Sequence, residues 1–138
     1  MTAFSPQITL IYHSGHGHTE LVAQQLVASM TQPGLDVHLL NVEETTVNMD
    51  MLHQSDMLVF GCPTYFGSVS ADFKQFMERT GRFWYQQPWK DKLAAGFTNS
   101  STTNGDKLNT LMSLFLFAAQ HSMQWVSLGI LPRFLCNQ

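Results

Sequence analysis

Charge is scarce in this chain of 138 residues: lysine and arginine number 7, aspartate and glutamate 10, together 12% of the sequence. No basic stripe stands ready to neutralise a phosphate backbone, so the net charge of −3 argues against nucleic acid as a partner. Nor is −3 enough for a protein that docks through a strongly acidic face. Cysteine is nearly absent. Cys62 and Cys136 show neither metal spacing nor a disulfide framework, which fits a reducing cytoplasm. Residues 1–6 lack the basic-then-apolar order of a secretory signal. The most apolar stretch, Leu111–Ala119, is too short to span a bilayer. These absences predict a soluble cytoplasmic protein, and the length predicts one domain, 1–138.

What is plentiful is core material: 44% hydrophobic residues, including ten phenylalanines, three tryptophans and three tyrosines. Apolar runs alternate with helix-period segments. Strands are predicted at Ile8–Tyr12, Asp36–Leu40, Met57–Phe60, Leu93–Phe97 and Gln124–Leu128. Helices are predicted at Thr19–Thr31, stopped by Pro33-Gly34, from Ser70 as N-cap to Gly81, and over Asp106–His121, with one helical turn near Met49–Gln54. Short apolar runs separated by helices imply a doubly wound α/β domain with a parallel sheet. Ligands in such sheets bind beyond the carboxyl ends of the strands. Three segments fall there, 13–19, 62–69 and 98–105, all rich in Ser, Thr, Asn and Gly.

The first of these also narrows by what it lacks. Ser14, Gly15, His16, Gly17, His18 and Thr19 join a strand to a helix N-terminus, an arrangement that presents N–H groups and hydroxyls to an anion. The loop holds no lysine or arginine, which excludes the nucleoside-triphosphate pattern. Position 20 is Glu20, which breaks the three-glycine dinucleotide pattern. A single phosphate of a mononucleotide is the guest that remains. His16 and His18 have no Cys, Asp or Glu partner at metal spacing, so no metal is expected. Ser68, six residues after Cys62, stands where a cysteine phosphatase needs arginine. His13 and Ser14 stand where a receiver domain needs acids. In the second segment, Tyr65 and Phe66 sit beside backbone turns, where a flat conjugated ligand can stack.

With these residues in view, the chain resembles the flavodoxin-like NAD(P)H:quinone oxidoreductases of the tryptophan-repressor-binding type, within the NADPH-dependent FMN reductase superfamily. The likeness is carried by 14–19, by Gly61-Cys62-Pro63-Thr64-Tyr65-Phe66-Gly67, by Thr80-Gly81-Arg82-Phe83-Trp84, by 92–97 and by Gln120-His121-Ser122-Met123. It implies a flavodoxin-like three-layer sandwich with a five-stranded parallel sheet in the order 2-1-3-4-5. It also implies FMN as cofactor, NAD(P)H as hydride donor and a quinone or related small molecule as acceptor. By position it puts the phosphate on Ser14, Gly15, His16, Gly17, His18 and Thr19. The isoalloxazine ring falls on Pro63, Thr64, Tyr65, Phe66 and Gly67, with a second flavin loop on Asn99, Ser100, Ser101, Thr102, Thr103 and Asn104. Trp84 corresponds to a substrate-side tryptophan and His121 to a flavin-proximal histidine, catalytic positions that a neighbouring subunit can supply. The resemblance therefore implies a homo-oligomer, dimer or tetramer.

The chain departs from that pattern in three places. The second flavin loop, glycine-rich in the family, has its first glycine only at Gly105; Tyr65 replaces a frequent arginine; and ten residues after Leu128 leave no length for a final helix. A sheet lacking that helix implies a truncated form or an obligate oligomer. Two other readings stay open: a one-electron carrier of the short flavodoxin type, and a non-catalytic oligomerising or binding module.

Overall fold

The computed structural model describes residues 4–129. Strands β1 (Gln7–Tyr12), β2 (Asp36–Asn41), β3 (Met57–Tyr65), β5 (Leu93–Asn99) and β6 (Gln124–Trp125) form a parallel sheet in the order β2-β1-β3-β5-β6. The order is the expected one. A further strand, β4 (Ser68–Val69), pairs antiparallel with the end of β3. The helices are α1 (His18–Met30), α2 (Met49–Gln54), α3 (Ala71–Arg79) and α4 (Lys107–Gln120).

Successive strand residues point to opposite faces, and the core divides accordingly. Ile11, Leu58, Phe60 and Ala94 join Phe73 and Phe76 of α3 and Leu114 and Phe117 of α4 in one cluster. Leu10, Tyr12 and Val59 join Ala23 of α1 in the other. Phe60, Phe73 and Phe76 have no exposed surface, and each stabilises the fold by about 2–3 kcal/mol through burial. Among the described residues α1 covers the second face, with Ala95, Phe97 and Met57 only partly buried beside it.

Two predicted boundaries are corrected. Gly61-Cys62-Pro63 reads as the end of the third strand, yet β3 runs on to Tyr65, pairing Pro63 with Asn99 of β5. β1 stops opposite Gly61, so from there β3 has its parallel partner on one side only, where a proline is tolerated. The last strand, expected to reach Leu128, ends at Trp125, because β5 offers it partners only at Leu93 and Ala94. Cys136 and the rest of 130–138, where a final helix would be sought, lie outside the described residues.

The extension of β3 shapes the edge where the loops gather. It carries Thr64 and Tyr65 out beyond the sheet and turns at Phe66-Gly67 into β4. Both turn residues have positive φ, 48° and 71°, the pattern of a type I′ two-residue hairpin.

Candidate functional site

β1, β3 and β5 all end at the same edge, and the three predicted loops converge there. A cleft of about 260 Å³ is lined by Ser14, His16, His18 and Thr19 from the first, Pro63, Thr64 and Tyr65 from the second, and Asn99, Ser100 and Ser101 from the third. A second cleft of about 550 Å³ lies between Thr64–Gly67 and Ser100, Ser101, Thr102, Gly105 and Asp106. A third, about 690 Å³, opens on the far side of the hairpin, bounded by His16, Tyr65, Phe66, Ser70, Lys74 and Met77.

The first loop leaves most of its backbone donors open. Gly17, at φ 88°, makes the left-handed entry into α1, which a side chain disfavours. Its N–H is tied to Ser14 Oγ at 3.0 Å. Among the described residues, the N–H groups of Ser14, Gly15, His16, His18 and Thr19 have no hydrogen-bond partner. Thr19, buried, donates its hydroxyl to Asn99 Oδ1 at 2.7 Å and so joins the first loop to the third. Unengaged amides at a helix N-terminus, with hydroxyls alongside and no lysine, fit a single phosphate group.

Next to Ser14 is a contact that sequence reading passes over. His13 Nδ1 meets Ser70 Oγ at 2.8 Å and its Nε2 meets Asp72 Oδ2 at 3.1 Å. Ser70 is the N-cap of α3 yet makes no capping bond, because its hydroxyl is turned to His13. The first loop is thus tied to α3 as well as to Asn99.

The hairpin and the third loop are organised from the first turn of α4. Thr110 Oγ1 accepts from Thr64 Oγ1 at 2.8 Å, and Thr64 Oγ1 lies 2.8 Å from Thr98 Oγ1. Asn109 Nδ2 donates to the Gly67 carbonyl at 2.6 Å. Lys107 Nζ donates to Ser100 Oγ at 2.8 Å and to the carbonyls of Thr102 and Thr103 at 3.0 Å each. Thr103 and Asn104 face none of the three clefts; their carbonyls accept from Lys107 Nζ and Lys107 N. Phe66 is fully exposed at the hairpin tip and Tyr65 stands edge-on to His16, ring centroids 6.3 Å apart.

Sequence reasoning missed Lys107, Asn109 and Thr110. The available signal was a polar first turn on an otherwise apolar helix, directly behind a polar loop.

The two expected catalytic residues are placed elsewhere. α4 leaves the three-loop edge at Lys107 and ends at the opposite edge, where the Ser122 carbonyl accepts from Asp91 N just before β5. His121, at that far end, is therefore not beside the three loops of its own chain. It is 1% exposed, among Trp89, Phe117 and Phe83 with ring centroids at 4.5, 5.0 and 5.9 Å. Burial holds its pKa down at about 4, so it is a neutral imidazole. Thr80 Oγ1 donates its one proton to the Met77 carbonyl at 2.7 Å and so accepts from His121 Nε2–H at 2.8 Å. Nδ1 is then a bare acceptor, without a hydrogen-bond partner among the described residues. Trp84 is half exposed nearby, its Nε1–H donating to the Gln120 carbonyl at 2.7 Å. Cys62 is fully buried and its thiol is pushed up to about 12 by burial, so it is no thiolate nucleophile. No group of three His, Cys, Asp or Glu gathers as a metal site among the described residues, and no described helix is long and apolar enough to cross a membrane.

The chain is similar to known proteins. A flavodoxin, FldP, of Pseudomonas aeruginosa (strain UCBPP-PA14) is 40% identical over 124 residues, covering 89% of this chain and 66% of its own length. The chain thus spans slightly under two thirds of that relative. An NAD(P)H dehydrogenase (quinone) of Archaeoglobus fulgidus is 29% identical over 145 residues, covering 88% of this chain and 76% of its own. The crystal structure of a WrbA-like flavodoxin from Agrobacterium tumefaciens superposes with a TM-score of 0.80 at 38% identity, covering 91% of this chain and 79% of that one. The sheet is flavodoxin-like, and the family described as NADPH-dependent FMN reductase matches residues 6–131. The resemblance read from the loops holds along nearly the whole sequence, and the chain belongs to the NADPH-dependent FMN reductase family.

Proposed function

We propose that this chain binds FMN at the three-loop edge and transfers hydride from NAD(P)H to quinones or related small acceptors. The observation that carries the reading is the convergence of Ser14–Thr19, Pro63–Tyr65 and Asn99–Ser101 on one uncharged cleft with unengaged amides at its base. Ser14, Gly15, His16, Gly17, His18 and Thr19 hold the phosphate. Thr64, Tyr65, Phe66 and Gly67 supply an aromatic wall and backbone edge for the ring, opposite Asn99–Thr102. Bound FMN supplies the redox chemistry, accepting two electrons and passing them on, so the protein needs no nucleophile of its own. Its task is to hold the ring and leave one face open. The 690 Å³ cleft beside Tyr65 and Phe66, with Val69 and Met77 in its wall, suits an apolar aromatic acceptor.

Oligomerisation belongs to the same proposal. Leu108, Met112, Phe115 and Leu116 are exposed on α4, an apolar stripe that a partner copy in a dimer or tetramer would cover. Trp84, half exposed at the far edge, is placed to face such a partner, with His121 fixed beneath it. A cytoplasmic setting agrees with the free, buried Cys62.

The 40% identity to a flavodoxin favours a second reading, a one-electron carrier. Protein loaded with FMN and exposed anaerobically to NADPH, then NADH, decides between them. Bleaching of the flavin absorbance, reversed by benzoquinone, is expected. No bleaching by either nucleotide, with stepwise one-electron reduction by dithionite, contradicts the reductase reading and favours the carrier.

A further inference from the structure

The loop 99–106 has no glycine before Gly105, yet it closes tightly. A β-carbon at Gly105 would collide with Thr102 Oγ1 and lie 2.7 Å from Ser100 Oγ. What the loop closes on is an ammonium group. All three Lys107 protons are engaged, by Ser100 Oγ, the Thr102 carbonyl and the Thr103 carbonyl. Ser100 Oγ in turn donates to the Thr102 carbonyl at 2.9 Å. The loop is wound on the lysine as a chain is wound on a bound cation.

Lys107 stands where helix physics does not favour it. It opens α4, and the positive end of a helix dipole disfavours a cation in its first turn. No acid occupies that turn, and Asp106, the N-cap, stands in the left-handed region at φ 57° without a capping bond. A residue that breaks a local rule without local compensation is expected where function selects it. Here the compensation is the loop, and the loop forms one wall of the 550 Å³ cleft facing Thr64–Gly67.

We infer that Lys107 is a positioning residue for the cofactor: its ammonium replaces glycine flexibility as the means of shaping the second flavin loop. Its charge also sits beside the cleft that receives the ring. The inference rests on the FMN reading of that cleft. Elementary electrostatics gives it two consequences. Removing three charge-assisted hydrogen bonds lets the loop open, weakening FMN. Removing the positive charge makes reduction, which adds negative charge to the ring, harder.

The test uses the full chain as wild type, Lys107→Met and Lys107→Arg. Three measurements apply: FMN dissociation constants from flavin fluorescence quenching, midpoint potentials of the bound flavin, and limited proteolysis of the FMN-free proteins. For Lys107→Met the expected result is FMN binding weakened about tenfold or more, the size of a lost charge-assisted hydrogen bond. A more negative potential and faster cleavage within 99–106 accompany it. Lys107→Arg, which keeps the charge, restores the potential even where its fork fits the loop less well. Wild-type binding with unchanged affinity and potential in Lys107→Met overturns the role of Lys107 alone. A wild-type chain that takes up no FMN overturns the site reading and this inference with it. Cleavage within 99–106 no faster in Lys107→Met than in wild type overturns the loop-shaping role by a measurement independent of the flavin.

Discussion

Gly15 lies directly against the hydroxyl of Tyr65, with no room for a β-carbon between them. This contact joins the first loop to the aromatic hairpin and makes position 15 a close-packed point of the proposed site. The clash would fall on the far end of a half-exposed side chain rather than on backbone, so the ring can give way. Gly15→Ala should therefore leave stability within about 1 kcal/mol while displacing Tyr65 and weakening FMN binding. Denaturant unfolding alongside FMN titration separates the two; equal affinity in the variant contradicts a role for this contact in the site.

Phe66 occupies the first turn position of a type I′ hairpin at φ 48°, where asparagine or glycine is preferred. Holding a phenylalanine there costs about 1–2 kcal/mol, and the ring gains nothing by burial because it is fully exposed. Phe66→Asn should raise the unfolding free energy by about 1 kcal/mol and lower FMN affinity. A variant that is less stable yet binds FMN normally contradicts a functional reason for the strain.

Across the sheet Tyr12, Gly61 and Phe97 stand in register, and the Phe97 ring fills the space a β-carbon on Gly61 would need. The atoms in the way are the tip of the Phe97 ring, partly buried beside α1, so relief requires that ring to leave its packing. Gly61→Ala should destabilise the fold by about 1–3 kcal/mol, read from denaturant unfolding. Gly61→Ala with Phe97→Leu should recover part of the loss.

His121 makes acid stability a readout of its burial. Its folded pKa, about 4, lies below the ordinary 6.5. Below pH 6.5 the unfolded chain therefore takes a proton that the folded chain refuses. Stability contributed by the neutral form is whole above pH 6.5 and falls as pH drops toward 4, by about 3 kcal/mol in all. His53, also lowered by burial, adds in the same direction. His121→Phe keeps an aromatic ring in that pocket and removes the orphaned acceptor. It should flatten most of the acid slope in unfolding titrations at about pH 7 and 5, with stability at neutral pH within about 1 kcal/mol. Unchanged FMN binding in the same variant would separate His121 from the flavin site of its own chain.

The parallel sheet was legible because each strand is a short β-branched or apolar run and each crossover a helix-period segment; its strand order came from the family resemblance. Ile8–Tyr12 and Leu93–Phe97 needed nothing more. The clustering of the three loops came from parallel topology alone, since every such strand ends at the same edge. The hairpin at Phe66-Gly67 was not legible: a proline and two glycines read as a break, and only the pairing of Pro63 with Asn99 shows the strand continuing. The lysine at the centre of the third loop was hidden for a related reason. Hydrogen bonds from Lys107 back to Ser100, Thr102 and Thr103 are decided by backbone shape, which composition does not report. The surroundings of His121 were not legible, because its position on a helix end fits both a dipole contact and a site role. Its burial among Trp89, Phe117 and Phe83 depends on where that end packs.

If the unengaged amides within Ser14–Thr19, with the Ser14 hydroxyl beside them, grip the phosphate of FMN, that grip can be weighed by itself. Riboflavin differs from FMN by the phosphate alone, so the ratio of their dissociation constants, measured by fluorescence quenching on the same protein, isolates the loop. FMN should bind at least about tenfold more tightly than riboflavin, and Ser14→Ala should shrink that ratio. Equal affinities for the two flavins, or no binding of either, would contradict the account.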